Sequence, residues 1–141
     1  METKKRTTIT IESTIQAAPS RVWELWTVPE HVTQWNHASE DWHSPHAEND
    51  VRKGGRFLFT MAAKDGSFSF DFSGTYGEVK PNQYLEYTMD DGRKASVQFI
   101  AMGNQTRVVE SFETEDTNPI EMQRGGWQAI LDNFKKYAEK K

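Results

Sequence analysis

The chain has 141 residues, a length usual for one domain with a proper hydrophobic core, so residues 1–141 are expected to form a single domain. A formal net charge of −4 argues against a nucleic-acid partner, and the absence of cysteine excludes disulfides, thiolate nucleophiles and cysteine-based zinc sites. No apolar run approaches the ~18 residues of a membrane span, and no secretory signal begins the chain, so a cytoplasmic location is expected.

The first predicted elements are a strand and two short helices. Residues Thr7–Ile15 alternate between apolar and polar, which is typical of a half-buried strand. Pro19 begins a short helix. The apolar side of this helix consists of Val22, Trp23, Leu25 and Trp26. The stretch Thr27-Val28-Pro29-Glu30 resembles a capping box and predicts a second short helix, which carries Val32 and Trp35.

From Val51 the pattern changes to a period of two, interrupted by short turns. The predicted turns are Asp65-Gly66, Pro81-Asn82, Asp91-Gly92 and Gly103-Asn104. Between them the alternating apolar residues are Phe57, Phe59, Met61, Phe68, Phe70, Phe72, Leu85, Tyr87, Met89, Ala95, Val97, Phe99, Val108 and Phe112. This pattern predicts an antiparallel meander with one apolar face.

The last predicted element is one long helix. The stretch Asn118-Pro119-Ile120-Glu121 indicates its start, with an N-cap, a proline at the first helical position and a glutamate at the third. Its apolar stripe consists of Ile120, Trp127, Ile130, Leu131, Phe134 and Ala138. A helix of about 20 residues is roughly 30 Å long, enough to cross a sheet. The predicted fold is therefore α+β: a curved antiparallel sheet of six to seven strands wrapped around one long C-terminal helix, plus two short helices after the first strand.

Several short motifs occur in an order and spacing that resemble a known superfamily. The motifs are Ala18-Pro19 with Val22-Trp23, Trp35, Gly54-Gly55-Arg56-Phe57, Gly74-Thr75-Tyr76 through Pro81, and Gly126-Trp127. They lie within residues 9–138. The chain resembles the START-like, helix-grip superfamily, also called SRPBCC or polyketide-cyclase-like, and its branch named for the heat-shock protein 90 ATPase activator.

The resemblance implies an apolar cavity between the sheet and the C-terminal helix. Members of the superfamily bind lipids, sterols or polyketide-like molecules, and some catalyse cyclisation or hydrolysis. This branch implies no shared catalytic motif. The activator engages its chaperone through an additional domain, which this chain does not include, so a chaperone partner is the less favoured possibility.

The segment 36–50, NHASEDWHSPHAEND, combines three histidines with four acidic residues. A zinc site needs ligands that converge on one point, and in an extended chain the spacing of three turns His43 and His46 to opposite faces. Pro45 favours an edge strand or a loop. We therefore predict no metal site, and we interpret the segment as a polar edge in which Trp42 and His43 form the lip of the cavity.

Glu110 is the candidate catalytic residue and the candidate polar anchor for a ligand. The register that buries Val108 and Phe112 also turns Glu110 inward, where a carboxylate needs a partner or a raised pKa. The alternative is a register shift of one residue or a bulge, which would leave Glu110 in solvent.

The main functional interpretation is that the cavity binds a small hydrophobic or amphipathic molecule without a cofactor. The expected ligand-binding residues are Trp35, Trp42, His43, Phe57, Phe59, Met61, Phe70, Phe72, Tyr76, Tyr87, Phe99, Glu110, Met122, Gly126, Trp127 and Ile130. The alternatives are an enzyme of the cyclase or hydrolase type that uses Glu110, and a chaperone-interaction module. The protein is expected to be a monomer or a weak dimer.

Overall fold

The computed structural model describes residues 6–140, so part of the basic residues at the two ends of the chain lies outside the described residues. The elements in chain order are β1 (Thr8–Ile15), α1 (Pro19–Thr27), α2 (Pro29–Trp35), β2 (Trp42–Asn49), β3 (Arg56–Ala63), β4 (Ser69–Lys80), β5 (Tyr84–Met89), β6 (Lys94–Met102), β7 (Gln105–Glu113) and α3 (Ile120–Lys140). The predicted helix-grip fold is confirmed. No helix within residues 6–140 is long and apolar enough to cross a membrane.

All seven strands form one antiparallel sheet in the order β1-β7-β6-β5-β4-β3-β2. Strands β2 to β7 form the expected meander, and their hairpin turns use left-handed backbone, as at Gly66 (φ 78°) and Asn82 (φ 68°). The first strand pairs with the last one, while α1 and α2 carry the chain from β1 at one edge to β2 at the other. The sheet therefore curls around α3.

The core lies where the concave face of the sheet meets the helices. On α3 the buried apolar residues are Leu131, Phe134 and Ala138. Trp127 and Ile130 are only partly buried against this core, and Ile120 is 41% exposed. The expected stripe is therefore correct over the last turns of α3 but wrong at Ile120, because the first turn of the helix buries Gln123 and leaves Ile120 toward solvent.

Neither of the two expected capping arrangements is formed. Thr27 is the last residue of α1, and its hydroxyl donates to the Trp23 carbonyl 2.8 Å away instead of capping α2. Asn118 uses its side chain to contact the Glu115 carboxylate at 3.3 Å. The loop before α3 is held by Gln123, whose amide nitrogen donates to the backbone carbonyls of Glu115 and Asn118. A side chain inside the helix thus replaces the predicted N-cap.

Candidate functional site

A cavity of about 290 Å³ lies between the concave face of the sheet and the helices. It is lined by Trp26, Trp35, Phe57, Phe59, Met61, Phe70, Phe72, Tyr76, Leu85, Tyr87, Arg93, Glu110, Glu115, Asn118, Gln123, Trp127 and Ile130. Most of these side chains are aromatic or aliphatic, and few are polar. A concave, mainly apolar space with a small number of polar groups is typical of a small-molecule site.

The walls of the cavity consist of aromatic rings in mutual contact. The Phe57 ring on β3 lies 4.9 Å from the ring of Tyr87 and 5.4 Å from that of Tyr76, between ring centroids. Trp127 on α3 stacks on Phe112 with ring centroids 4.0 Å apart and an interplanar angle of 7°. Such contacts contribute beyond their buried area and hold the rings in fixed orientations. The cavity is therefore bounded by rigid surfaces.

The cavity opens between β4 and the loop before α3. Among the lining residues, Phe70 on β4 is 46% exposed and Asn118 in the loop is exposed. Between them, the ring of Phe72 lies 6.1 Å from that of Trp127 in an edge-to-face arrangement. A ligand entering on this side would pass these two rings.

Glu110 lies on β7 in the inward register. Thr106, Val108, Glu110 and Phe112 alternate as the buried residues of this strand. Glu110 pairs with Ile11 of β1 and Val97 of β6 in the sheet and is only 6% exposed. Among the described residues none is hydrogen-bonded to its carboxyl group, and burial raises its pKa to about 8. At neutral pH this carboxyl group is therefore mainly protonated.

The two tyrosines of the cavity differ in their hydrogen bonding. The Tyr76 hydroxyl donates to the Asn49 Oδ1 atom at 2.6 Å, so Tyr76 is a satisfied core residue. Tyr87 is 9% exposed, and within residues 6–140 its hydroxyl has no hydrogen-bond partner. Burial, and secondarily the nearby Glu110 carboxyl, raises the pKa of Tyr87 well above its usual range. Tyr87 thus offers the cavity a neutral hydroxyl group.

One end of the cavity is polar, but its groups are already paired. The Arg93 Nε atom donates to Asp91 at 2.8 Å. The Gln123 side chain holds the loop before α3, accepting from the Glu115 backbone N–H at 2.9 Å as well as donating. The Glu115 carboxylate accepts from the Asn118 backbone N–H at 2.7 Å. These residues shape the end of the cavity. Among the carboxyl and hydroxyl groups of its lining, those of Glu110 and Tyr87 have no hydrogen-bond partner within residues 6–140.

Five of the expected ligand-binding residues do not line the cavity. Phe99 is buried beneath Trp23 and Trp26, with ring centroids 5.3 and 5.9 Å apart. Met122 lies on the exposed side of the first turns of α3 and is 63% exposed. Gly126 on α3 is absent from the lining, and a Cβ added at this position would meet nothing within 4 Å.

The remaining two residues of the five lie on β2. Trp42 faces inward, and its ring lies 6.1 Å from the rings of Phe68 and of the lining residue Phe70, but Trp42 itself does not line the cavity. His43 pairs with Ala62, which lies on the convex face of β3, so the histidine points away from the cavity. The proposed lip formed by Trp42 and His43 is therefore wrong for His43.

The argument that His43 and His46 point to opposite faces is wrong, because a bulge interrupts β2. His43 pairs with Ala62 and His46 with Thr60, and these two partners share one face of β3. The extra residue of the bulge, near Pro45, reverses the expected alternation. Both histidines therefore lie on the convex face, where His46 contacts Glu48 at 2.7 Å. Within residues 6–140 no three histidine or acidic side chains are placed to hold a metal ion.

Six lining residues were not expected from the sequence: Trp26, Leu85, Arg93, Glu115, Asn118 and Gln123. Gln123 lies one helical turn before Trp127 on the same face as Ile130. The helical spacing therefore predicts its inward position if polar residues are counted as well as apolar ones. Leu85 lies two residues before Tyr87 on β5, so the strand period places both side chains on the same face. Arg93, Glu115 and Asn118 lie in or next to loops, where periodicity carries no information.

A curled antiparallel sheet that holds a long helix, with an apolar cavity between them, defines the START-like, helix-grip class of proteins. Residues 16–139 match the family described as Activator of Hsp90 ATPase homolog 1-like protein, and the chain belongs to this family. No match to a curated protein is found.

Solved structures agree with this assignment. The chain is 44% identical to an AHSA1-like protein from Aeromonas hydrophila, with a TM-score of 0.89 and coverage of 94% of this chain and 92% of that one. A protein from Cytophaga hutchinsonii is 53% identical, with a TM-score of 0.82 and the same coverage. A protein from Nitrosomonas europaea, at 18% identity and a TM-score of 0.81 over 94% of each chain, shares the fold.

Proposed function

We propose that this protein binds one small hydrophobic or amphipathic molecule in the cavity between the sheet and α3. The observation that carries the proposal is an apolar, aromatic cavity of about 290 Å³ that contains an unpaired, buried carboxyl group. A core designed only for stability would be filled, because empty space of this size costs stability. Burying Glu110 without a partner also costs stability, which a polar ligand atom would offset.

An enzymatic role is a second candidate, and the pKa of Glu110 is the observation that favours it. An acid with a pKa of about 8 is close to the value that suits general acid–base catalysis at neutral pH. In this case the apolar walls would hold a substrate for cyclisation or hydrolysis, and Glu110 would transfer the proton. Substrate turnover that is lost in Glu110→Gln, while binding persists, would separate this candidate from simple binding.

The first experiment is native mass spectrometry of the purified full chain, followed by solvent extraction of any bound compound. Titration with the neutral fluorescent dye phenylnaphthylamine then measures the affinity of the empty cavity. The decisive variant is Ile130→Trp, which places a larger side chain in the lining on α3. The matched control is Ile100→Trp on the convex face of the sheet, where Ile100 is 40% exposed.

The proposal predicts one dye molecule per chain, at least tenfold weaker binding in Ile130→Trp, and unchanged binding in Ile100→Trp. Equal dye binding by both tryptophan variants would place the site elsewhere and contradict the proposal. A protein that carries no compound after purification and binds no dye would contradict it as well.

A further inference from the structure

We infer that the ligand presents an uncharged carbonyl oxygen, which accepts hydrogen bonds from the Glu110 carboxyl group and the Tyr87 hydroxyl group. This inference rests on the proposed function and adds the chemical class of the ligand. It excludes fatty acids and other anions, and it excludes amines as the preferred class.

The unpaired groups themselves are the first step of the argument. Glu110 and Tyr87 are 6% and 9% exposed, and both line the cavity. Among the described residues, the fully enclosed side-chain nitrogen or oxygen atom without a partner is His37 Nδ1. The unpaired oxygens of Glu110 and Tyr87 are therefore not sealed in protein but have open cavity space beside them. Buried polar groups in proteins are almost always hydrogen-bonded, so a partner in the cavity is expected.

The second step is the position of the two groups relative to each other. Tyr87 pairs with Ala95 and Ala95 with Phe112, whereas Glu110 pairs with Val97, two residues further along β6. The two side chains therefore start from neighbouring positions on the concave face and reach into the same space. They are close enough for the Glu110 carboxyl to affect the pKa of Tyr87, yet they form no hydrogen bond with each other.

The third step is the protonation state. Burial raises the pKa of Glu110 to about 8 and that of Tyr87 well above its usual range, so both groups carry their protons at neutral pH. The cavity then contains two O–H donors, and the charged group that acts on one of them, Tyr87, is the Arg93 guanidinium. A neutral buried carboxylic acid beside a buried tyrosine is a known arrangement for binding a carbonyl oxygen, as in the oxyanion hole of ketosteroid isomerase. A carbonyl oxygen has two lone pairs and accepts both bonds.

The fourth step is the charge of the surrounding lining. The titratable or charged lining residues are Tyr76, Tyr87, Arg93, Glu110 and Glu115. Arg93 is the cation among them, and its side chain is paired with Asp91 and 14% exposed. A carboxylate or phosphate head beside Glu110 would therefore meet a cation whose charge is already balanced by the Asp91 carboxylate. An ammonium head would require Glu110 to ionise in an apolar cavity, where the desolvation of both charges opposes the pair.

The test compares probes that share a ten-carbon skeleton and differ in the polar group: methyl octyl ketone, decylamine, decanoate and decane. Each displaces phenylnaphthylamine from the full chain near pH 7, so all affinities are measured against one reporter. The affinity for decane measures binding to the apolar walls without a polar group. We expect the ketone to bind roughly three- to tenfold more tightly than decane, since a buried hydrogen bond contributes about that factor. Decylamine and decanoate should bind more weakly than the ketone.

Three variants assign the effect to the two donors. Tyr87→Phe and Glu110→Leu should each remove most of the preference for the ketone over decane, while decane binding shows that the cavity is still formed. Glu110→Gln, which keeps a donor that cannot ionise, should restore much of the preference lost in Glu110→Leu. For the wild type, the ketone affinity should fall about tenfold between pH 7 and pH 9 as the Glu110 carboxyl ionises, and Glu110→Gln should abolish this dependence.

Equal binding of ketone and decane, unaffected by any of the three variants, would overturn the inference while leaving the proposed function intact. Tighter binding of decylamine or decanoate would overturn it in favour of a charged head group. If none of the probes displaces the dye and the dye itself does not bind, the proposed function fails, and the inference fails with it.

Discussion

At the scale of single residues, Glu110 links the cavity to the stability of the fold. Its ordinary pKa of 4.5 rises to about 8 because of burial. Between these two values the folded protein holds a proton that the unfolded chain has released, so raising the pH removes stability. The free energy of unfolding is therefore highest below about pH 4.5. It falls by about 1.4 kcal/mol per pH unit as the pH rises from there to about 8.

Replacing Glu110 by glutamine should therefore flatten the dependence of stability on pH. We expect Glu110→Gln to have a higher free energy of unfolding than the wild type near pH 8 and a much smaller difference near pH 5, measured by urea denaturation. Glu78→Gln is the matched control, since Glu78 is an exposed acid on β4. Parallel curves for the wild type and Glu110→Gln would show that the carboxyl is not desolvated.

Trp127 is the residue of α3 that serves both the core and the cavity. It stacks on Phe112 and lines the cavity, but it is only partly buried. We expect Trp127→Ala to cost about 2 kcal/mol of unfolding free energy, less than the roughly 3–5 kcal/mol of a fully buried tryptophan. It should also weaken binding of phenylnaphthylamine.

Trp127→Phe serves as the control for this residue, because it retains a ring on Phe112. It should keep most of the stability and part of the dye binding. An alanine variant with the stability and affinity of the wild type would show that the first half of α3 does not cover the cavity.

At the scale of elements, α3 carries two glycines in its first half. Gly125 is exposed, and a Cβ at either Gly125 or Gly126 would meet nothing within 4 Å. Glycine in a helix interior costs about 1 kcal/mol relative to alanine. Their presence is therefore not required by packing against the sheet.

Gly125→Ala should stabilise the protein by about 1 kcal/mol, which corresponds to a rise in Tm of roughly 3 °C for a domain of this size. Gly126→Ala should have a similar effect, because the space beside it is open. Calorimetry of both variants without ligand checks this. A decrease in Tm would show that the start of α3 needs a conformation that only glycine adopts easily.

At the scale of the whole molecule, a ligand in the cavity would stabilise the fold, because the unfolded chain has no cavity. A ligand at one hundred times its dissociation constant contributes about 2.7 kcal/mol, or roughly 8 °C in Tm for a domain of this size. We expect phenylnaphthylamine to raise the Tm of the wild type by this order and to have little effect on Ile130→Trp. The same shift in both proteins would indicate that the dye binds outside the cavity.

The sequence determined the elements and their inward faces wherever a regular pattern ran through them. The alternation in β7 was enough to predict that Glu110 faces inward with Val108 and Phe112. The opposite register would have buried Arg107 in the core. The helical spacing of Leu131 and Phe134 was enough to orient the buried part of α3. Both features are properties of a single strand or helix, so the spacing of residues along the chain is enough to predict them.

Only the tertiary structure decided which inward residues reach the cavity. Phe99 faces inward as expected, but Trp23 and Trp26 of α1 cover it. The bulge in β2 turned His43 to the convex face, since one extra residue reverses the alternation of a strand. The unpaired state of Tyr87, in contrast to Tyr76 with its bond to Asn49, depends on a contact between residues far apart in the chain. Periodicity describes one element at a time, whereas a cavity is the space left where several elements meet.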